Sequence, residues 1–138
     1  MRLVRTICFT LCLLWCATSA FSADNTASRS GTRITEMAVT TKIVHGNPID
    51  SVHRISATSV KALYCFTRIV RGDAGETTIK HVWYHDGKVE GEMSLPVKGT
   101  LWRTYSRRPI DLSSKGEWRV DALSADGTVI KSVGFRIN

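Results

Sequence analysis

The chain alternates between apolar and polar residues in short runs that are separated by turn-forming residues. This alternation is typical of β-strands, and no segment keeps a helical period of about 3.6 residues over a useful length. The sequence predicts seven strands, contained in RITEMAVTTKIV, VKALYCFTRIV, TTIKHVWYH, KVEGEMSLPV, LWRTYS, GEWRVDAL and VIKSVGFRI. Seven short strands in one domain favour an all-β fold, an antiparallel β-sandwich of immunoglobulin-like arrangement.

The last two predicted strands form a hairpin whose register can be tested. A two-residue turn at Asp126 and Gly127 separates apolar from charged residues on the two faces of this hairpin. We therefore expect Trp118 to lie in the core. The expected pairs are Trp118 with Phe135, Val120 with Val133, and Glu117 with Arg136.

The Asp86-Gly87 turn is compatible with two registers. A two-residue turn sets Trp83 and His81 opposite two glutamates, Glu90 and Glu92. A three-residue loop with Gly87 in the left-handed conformation keeps apolar and charged residues apart, so we favour it. It predicts a core position for His81 and the pairs Trp83 with Val89, Ile79 with Met93, Lys80 with Glu92, and His81 with Gly91.

The two-residue turn would also permit a metal site. His81 and His85 share one face of their strand, and two imidazoles with a carboxylate can bind a divalent cation. This defines an alternative function, a metal-assisted hydrolase that uses His81, His85 and Glu92. Since it depends on the less favoured register, our primary prediction contains no metal, no cofactor and no catalytic residue. The sequence carries no nucleophile elbow, zinc-protease motif or phosphate-binding glycine loop.

Polar and aromatic residues are densest in LWRTYSRR, residues 101–108. Alternation places Trp102 on one face and Arg103 with Tyr105 on the other. We expect Trp102 to face inward; the opposite orientation would bury Arg103 as a structural clamp. An exposed arginine beside a tyrosine can bind carboxylates, phosphates or sugar rings. The predicted binding residues are Arg103, Tyr105, His81 and Arg107.

The first residues resemble an export signal. Two arginines precede an apolar segment, residues 7–15, and the small residues ATSA then predict cleavage after Ala20. The apolar segment is shorter than the roughly 20 residues that span a bilayer. Residues 21–31 are small and polar, which predicts a flexible tether before a domain at 32–138. We expect a periplasmic or secreted protein with no transmembrane segment after cleavage.

Charge and cysteine content narrow the expected partners. After residue 20 the chain holds 17 Lys and Arg against 12 Asp and Glu, spread without a long run. This moderate excess favours an envelope protein or an anionic envelope polymer as partner rather than nucleic acid. Cys65 is the only cysteine after residue 20, which excludes an internal disulfide. We expect it to be a buried strand residue, with an intermolecular disulfide as the alternative.

The second half of the chain resembles a known bacterial family, domain of unknown function 2914. The similar segments are FTRIVRGDAGETTIKHVWYHDGK, LPVKGTLWRTYSRRPI and GEWRVDALSADGTVI, over roughly residues 66–136. Arg107 and Arg108 replace a lysine that is usual in the family. The resemblance implies a compact β domain, often found in envelope-associated proteins, and it implies no established activity. The family's signature positions correspond here to His81, Trp83, Trp102, Arg103 and Trp118.

These observations predict an exported, non-catalytic binding module of the bacterial envelope. Besides the hydrolase, a second alternative is a periplasmic chaperone-like partner that pairs an exposed edge strand with a client.

Overall fold

The structure is a computed structural model, and it describes residues 31–138. The predicted signal peptide and nearly all of the predicted tether lie outside the described residues. The described elements are β1 (Thr32–Thr40), β2 (Ile43–Val44), β3 (Asn47–Pro48), β4 (Arg54–Ile55), β5 (Ala62–Arg71), β6 (Thr77–His85), β7 (Lys88–Val97), β8 (Leu101–Pro109), a short 3₁₀ helix (Leu112–Ser114), β9 (Gly116–Leu123) and β10 (Val129–Ile137).

The strands form two main sheets that pack face to face. One sheet has three strands in the order β1-β5-β8, and the other has five in the order β4-β10-β9-β6-β7. Neighbouring strands are antiparallel except for the short β4, which is parallel to β10. Seven strands are eight to ten residues long, and each overlaps one of the seven predicted runs, the first of which also contains β2. The predicted antiparallel β-sandwich is confirmed.

The core between the sheets is built around aromatic rings. Trp83 meets the rings of Trp118 and Phe135 edge-on, at centroid distances of 6.4 and 6.2 Å. Such rings bury large apolar areas and prefer this T-shaped contact. Cys65 lies in the same core with no exposed surface, and burial raises the pKa of its thiol. Its buried position is confirmed, and it leaves no accessible sulfur for a disulfide between chains.

The β9–β10 hairpin has the predicted register. Trp118 pairs with Phe135 and is 4% exposed, so its core position is confirmed. The turn differs from the prediction, because the Ser124 N–H donates to the Thr128 carbonyl oxygen and closes a three-residue loop, 125–127. A bulge at Ile130 then restores the expected pairing. Extra residues at bulges change loop length without changing which face a side chain occupies.

The β6–β7 hairpin contradicts the favoured register. Its turn has two residues, Asp86 and Gly87, both with positive φ (47° and 81°). This type I′ geometry suits the twist of a hairpin. A bulge at Glu90 then shifts the pairing, so that His81 lies opposite Met93 and Trp83 lies opposite Gly91. Because the observed and favoured registers differ by two positions, His81 still faces the core, as predicted.

Candidate functional site

The outer face of the three-stranded sheet carries three of the four predicted binding residues. On β8, Arg103, Tyr105 and Arg107 are exposed, whereas Trp102 packs against the core and Ser106 is 1% exposed. The predicted inward orientation of Trp102 is confirmed. We call the surface formed by Leu101, Arg103, Tyr105 and Arg107 the β8 face.

Strand β5 supplies the neighbours of the β8 face. Arg68 lies directly opposite Arg103, and Tyr64 lies opposite Arg107. The Tyr64 and Tyr105 rings meet edge-on at 5.9 Å. Arg68 is neutralised by Glu36 on β1, whose carboxylate lies 2.9 Å from its Nε. Within residues 31–138, neither Arg103 nor Arg107 has a carboxylate within 4.0 Å.

A groove opens at one end of the β8 face. Its volume is about 410 Å³, and its lining includes Arg68, Leu101, Trp102 and Arg103. Leu101 is 76% exposed, although it is a large aliphatic residue. The groove therefore combines two guanidinium groups with an exposed apolar side chain.

The β2–β3 hairpin lies beside the same groove. The Asn47 side-chain amide oxygen, Oδ1, accepts a hydrogen bond of 3.3 Å from Arg68, and Gly46 lies close to the Arg103 guanidinium. Asp50 fixes the base of this hairpin by accepting hydrogen bonds from Thr40 and Thr41. Burial raises the pKa of Asp50, but these hydrogen bonds outweigh burial, and the pKa lies below its ordinary value.

His81, the fourth predicted binding residue, is not part of the β8 face. It has no exposed surface, and burial lowers the pKa of its imidazole to about 4. Trp83 donates to Ser106 Oγ at 3.0 Å, and Ser106 is 2.8 Å from His81 Nδ1. His81 Nε2 is 3.3 Å from the Thr67 hydroxyl. A neutral imidazole accepts from Ser106 and donates to Thr67, so we assign His81 a structural role.

The structure does not bring together the three residues of the metal alternative. His85 stacks on Trp118 at 4.4 Å, and its Nε2 lies 2.7 Å from the Lys115 carbonyl oxygen. Glu92 pairs with Lys80 at 3.5 Å on the outer surface. Among residues 31–138, no group of three His, Cys, Asp or Glu side chains is arranged to hold a metal ion.

Arg108 has a structural role, which the sequence analysis did not distinguish from the predicted binding role of Arg107. Its guanidinium donates to the Glu90 carbonyl oxygen at 3.0 Å and to the Glu90 carboxylate at 3.1 Å. It also lies over the Trp118 ring, 5.7 Å from the centroid. Arg108 therefore connects the adjacent edges of the two sheets. Strict alternation along β8 was the available signal, because it places neighbouring arginines on opposite faces.

Comparison with known proteins agrees with this architecture and with the sequence resemblance. A crystal structure of an immunoglobulin-like protein from Pseudomonas aeruginosa is similar, with a TM-score of 0.53 and 13% sequence identity. The similarity covers 80% of this chain and 99% of that protein, and it defines the fold class as an immunoglobulin-like β-sandwich.

The family described as "Protein of unknown function (DUF2914)" matches residues 76–137, which confirms the predicted resemblance to this family over that part of the chain. The match begins at the residue before β6 and includes the β8 face. No curated protein matches the sequence. Within the described residues, no helix is both long enough and apolar enough to cross a membrane.

Proposed function

We propose that this protein is an exported, non-catalytic binding module of the bacterial envelope, and that the β8 face binds an anionic envelope component. The observation that carries the proposal is the row of Arg103, Tyr105 and Arg107 on one exposed strand face. Residues two apart on a strand are about 6.6 Å apart, so the two arginines lie about 13 Å apart with an aromatic ring between them.

The charge of this face supports an anionic ligand. Glu36 is engaged with Arg68, so it does not neutralise Arg103 or Arg107. Guanidinium groups bind carboxylates and phosphates through paired hydrogen bonds, and a tyrosine ring offers a flat apolar surface for a sugar. Neither arginine contributes to the buried core, so both are available to a partner.

A non-catalytic role is supported by the position of the chemically reactive groups. Ser106 and His81 form a serine–histidine pair, but they are 1% and 0% exposed. A nucleophile needs access to its substrate, and this pair has none. The pair instead satisfies buried polar groups of the core.

The chaperone-like alternative receives less support at β7, one of the edge strands of the two main sheets. This strand has a bulge at Glu90 and a proline at position 96, and both features oppose edge-to-edge pairing. The carbonyl of Glu90 already accepts a hydrogen bond from Arg108.

The proposal is tested by measuring binding of the purified protein to alginate, an acidic polysaccharide, and to neutral dextran at low ionic strength. We expect binding to alginate only. The double variant Arg103→Gln/Arg107→Gln should lose about tenfold in affinity, which corresponds to ~0.7 kcal/mol for each exposed ionic contact.

The matched control removes the same charge from the other sheet. Lys88 and Lys131 are exposed on β7 and β10, and Lys88→Gln/Lys131→Gln should bind like the unaltered protein. Equal losses in the two double variants would show that net charge, not the β8 face, determines binding. Equal binding to dextran would refute an anionic ligand.

A further inference from the structure

We propose that the groove beside Arg103 binds the phosphate group of an anionic phospholipid, and that it docks the protein on a membrane surface. This inference rests on the proposed function and specifies its ligand. The groove differs from the rest of the β8 face, because its two guanidinium groups lie beside an exposed aliphatic side chain, Leu101.

The first observation is a pair of neighbouring arginines of which only one has a carboxylate partner among the described residues. Arg68 and Arg103 lie directly opposite each other on adjacent strands, on the same outer face. Like charges in this position destabilise a sheet. Glu36 compensates Arg68 through a contact of 2.9 Å, but no carboxylate in the described part of the chain compensates Arg103. A bound anion between the two guanidinium groups would remove this repulsion.

The second observation is the apolar side chain at the same place. Leu101 is 76% exposed and lines the groove with both arginines. In the adjacent row of the sheet, Arg33 and Leu101 flank Val70, and Arg33 is also exposed. The outer face near Leu101 therefore carries Arg68 and Arg103 in the groove and Arg33 two strands away.

This combination fits an interfacial ligand better than a soluble one. At a membrane surface, arginines contact lipid phosphates while a nearby aliphatic side chain enters the acyl boundary. A free phosphate would use the arginines but would leave Leu101 in water. The groove volume of about 410 Å³ accommodates a headgroup, and the open side at Leu101 faces outward for the attached chains.

The test is sedimentation of the purified protein with vesicles. Vesicles of phosphatidylcholine with 30% phosphatidylglycerol should bind the protein, and vesicles of phosphatidylcholine alone should not. Arg103→Gln should weaken partitioning about fivefold, the equivalent of about 1 kcal/mol for one basic residue at an anionic surface. Leu101→Ser should weaken it about tenfold, because the apolar contact with the bilayer is lost.

Two controls keep the result interpretable. Lys131→Gln removes the same charge from an exposed position on the opposite sheet and should leave partitioning unchanged. Arg103→Lys keeps the charge without the forked donor and should fall between the unaltered protein and Arg103→Gln. Urea denaturation of each variant checks that the substitution leaves the protein folded.

Three results would overturn the inference. Equal losses of vesicle partitioning for Arg103→Gln and Lys131→Gln would indicate that the vesicles attract only the net charge of the protein. Unchanged vesicle partitioning of Leu101→Ser would exclude the proposed contact between Leu101 and the bilayer. Binding of inorganic phosphate that depends on Arg103, without binding to vesicles, would identify a soluble ligand. If alginate binding through Arg103 and Arg107 persists while vesicle binding fails, the proposed function stands and only the lipid is excluded.

Discussion

Acidification should destabilise this fold well before its carboxylates are protonated, because a neutral histidine lies in the core. His81 has no exposed surface, and burial lowers the pKa of its imidazole from 6.5 to about 4. Between these two values the unfolded chain binds more protons at this position than the folded chain does. Stability therefore rises with pH through this window, and it is lost as the pH falls.

The size of the effect follows from the two pKa values. A difference of one pKa unit corresponds to about 1.4 kcal/mol. A shift from 6.5 to about 4 therefore corresponds to about 3.5 kcal/mol once His81 is protonated in both the folded and the unfolded state. Most of this loss, about 2.5 kcal/mol, should occur between about pH 7 and pH 4.5. For a domain of this size that is a large fraction of the total stability.

The assay is urea unfolding followed by tryptophan fluorescence at several pH values. The free energy of unfolding should fall across the window for the unaltered protein, and the dependence should flatten in His81→Gln. The hydrogen bonds from Thr40 and Thr41 lower the pKa of Asp50, so this carboxylate is protonated only at lower pH. Its effect on the free energy of unfolding therefore appears below this window. A constant free energy between pH 7 and 4.5, or an unchanged slope in His81→Gln, would refute the buried neutral imidazole.

Three further changes test the remaining assignments by denaturant unfolding. Ser106→Ala leaves two buried hydrogen-bonding groups without their partner and should cost about 2 to 4 kcal/mol; a loss below about 0.5 kcal/mol would contradict the buried network. Arg103→Ala should change stability by no more than about 0.5 kcal/mol, because the side chain is exposed, and a loss above about 2 kcal/mol would mark it as a structural clamp. Gly116→Ala should lower the free energy of unfolding by more than about 2 kcal/mol, since φ is +136° and an added Cβ would lie 2.7 Å from the Asp86 carboxylate. Gly72→Ala serves as its control, because an added Cβ there would meet nothing within 4 Å.

The sequence pattern predicted strand identity and burial well, because both depend on local alternation. Trp118 and Cys65 occupy the predicted core positions, and Trp102 faces inward as expected. The predictions for Trp118 and Cys65 follow from the rule that neighbouring strand residues point to opposite faces. The same rule separated Trp102 from Arg103, but it did not decide which of the two points inward.

Strand register was predicted less well, because bulges leave little signal in the sequence. The extra residue at Glu90 shifts the β6–β7 pairing from Trp83 back to Thr77, and nothing in KVEGEMSLPV identifies it. The sequence likewise did not predict which polar side chains form hydrogen bonds between the two sheets. Ser106 lies 25 residues from His81 in the chain, and their hydrogen bond arises from the packing of two sheets. Local alternation places each side chain on a face, but it does not state which residue lies opposite.

The most direct test of the central claim is a titration of ¹⁵N-labelled protein with short alginate oligomers, followed by amide chemical shifts. We predict that the largest shifts fall on the β8 face, at Leu101, Arg103, Tyr105 and Arg107, and at Arg68 on the adjacent strand. Shifts concentrated on β6 and β7, with an unperturbed β8, would contradict it.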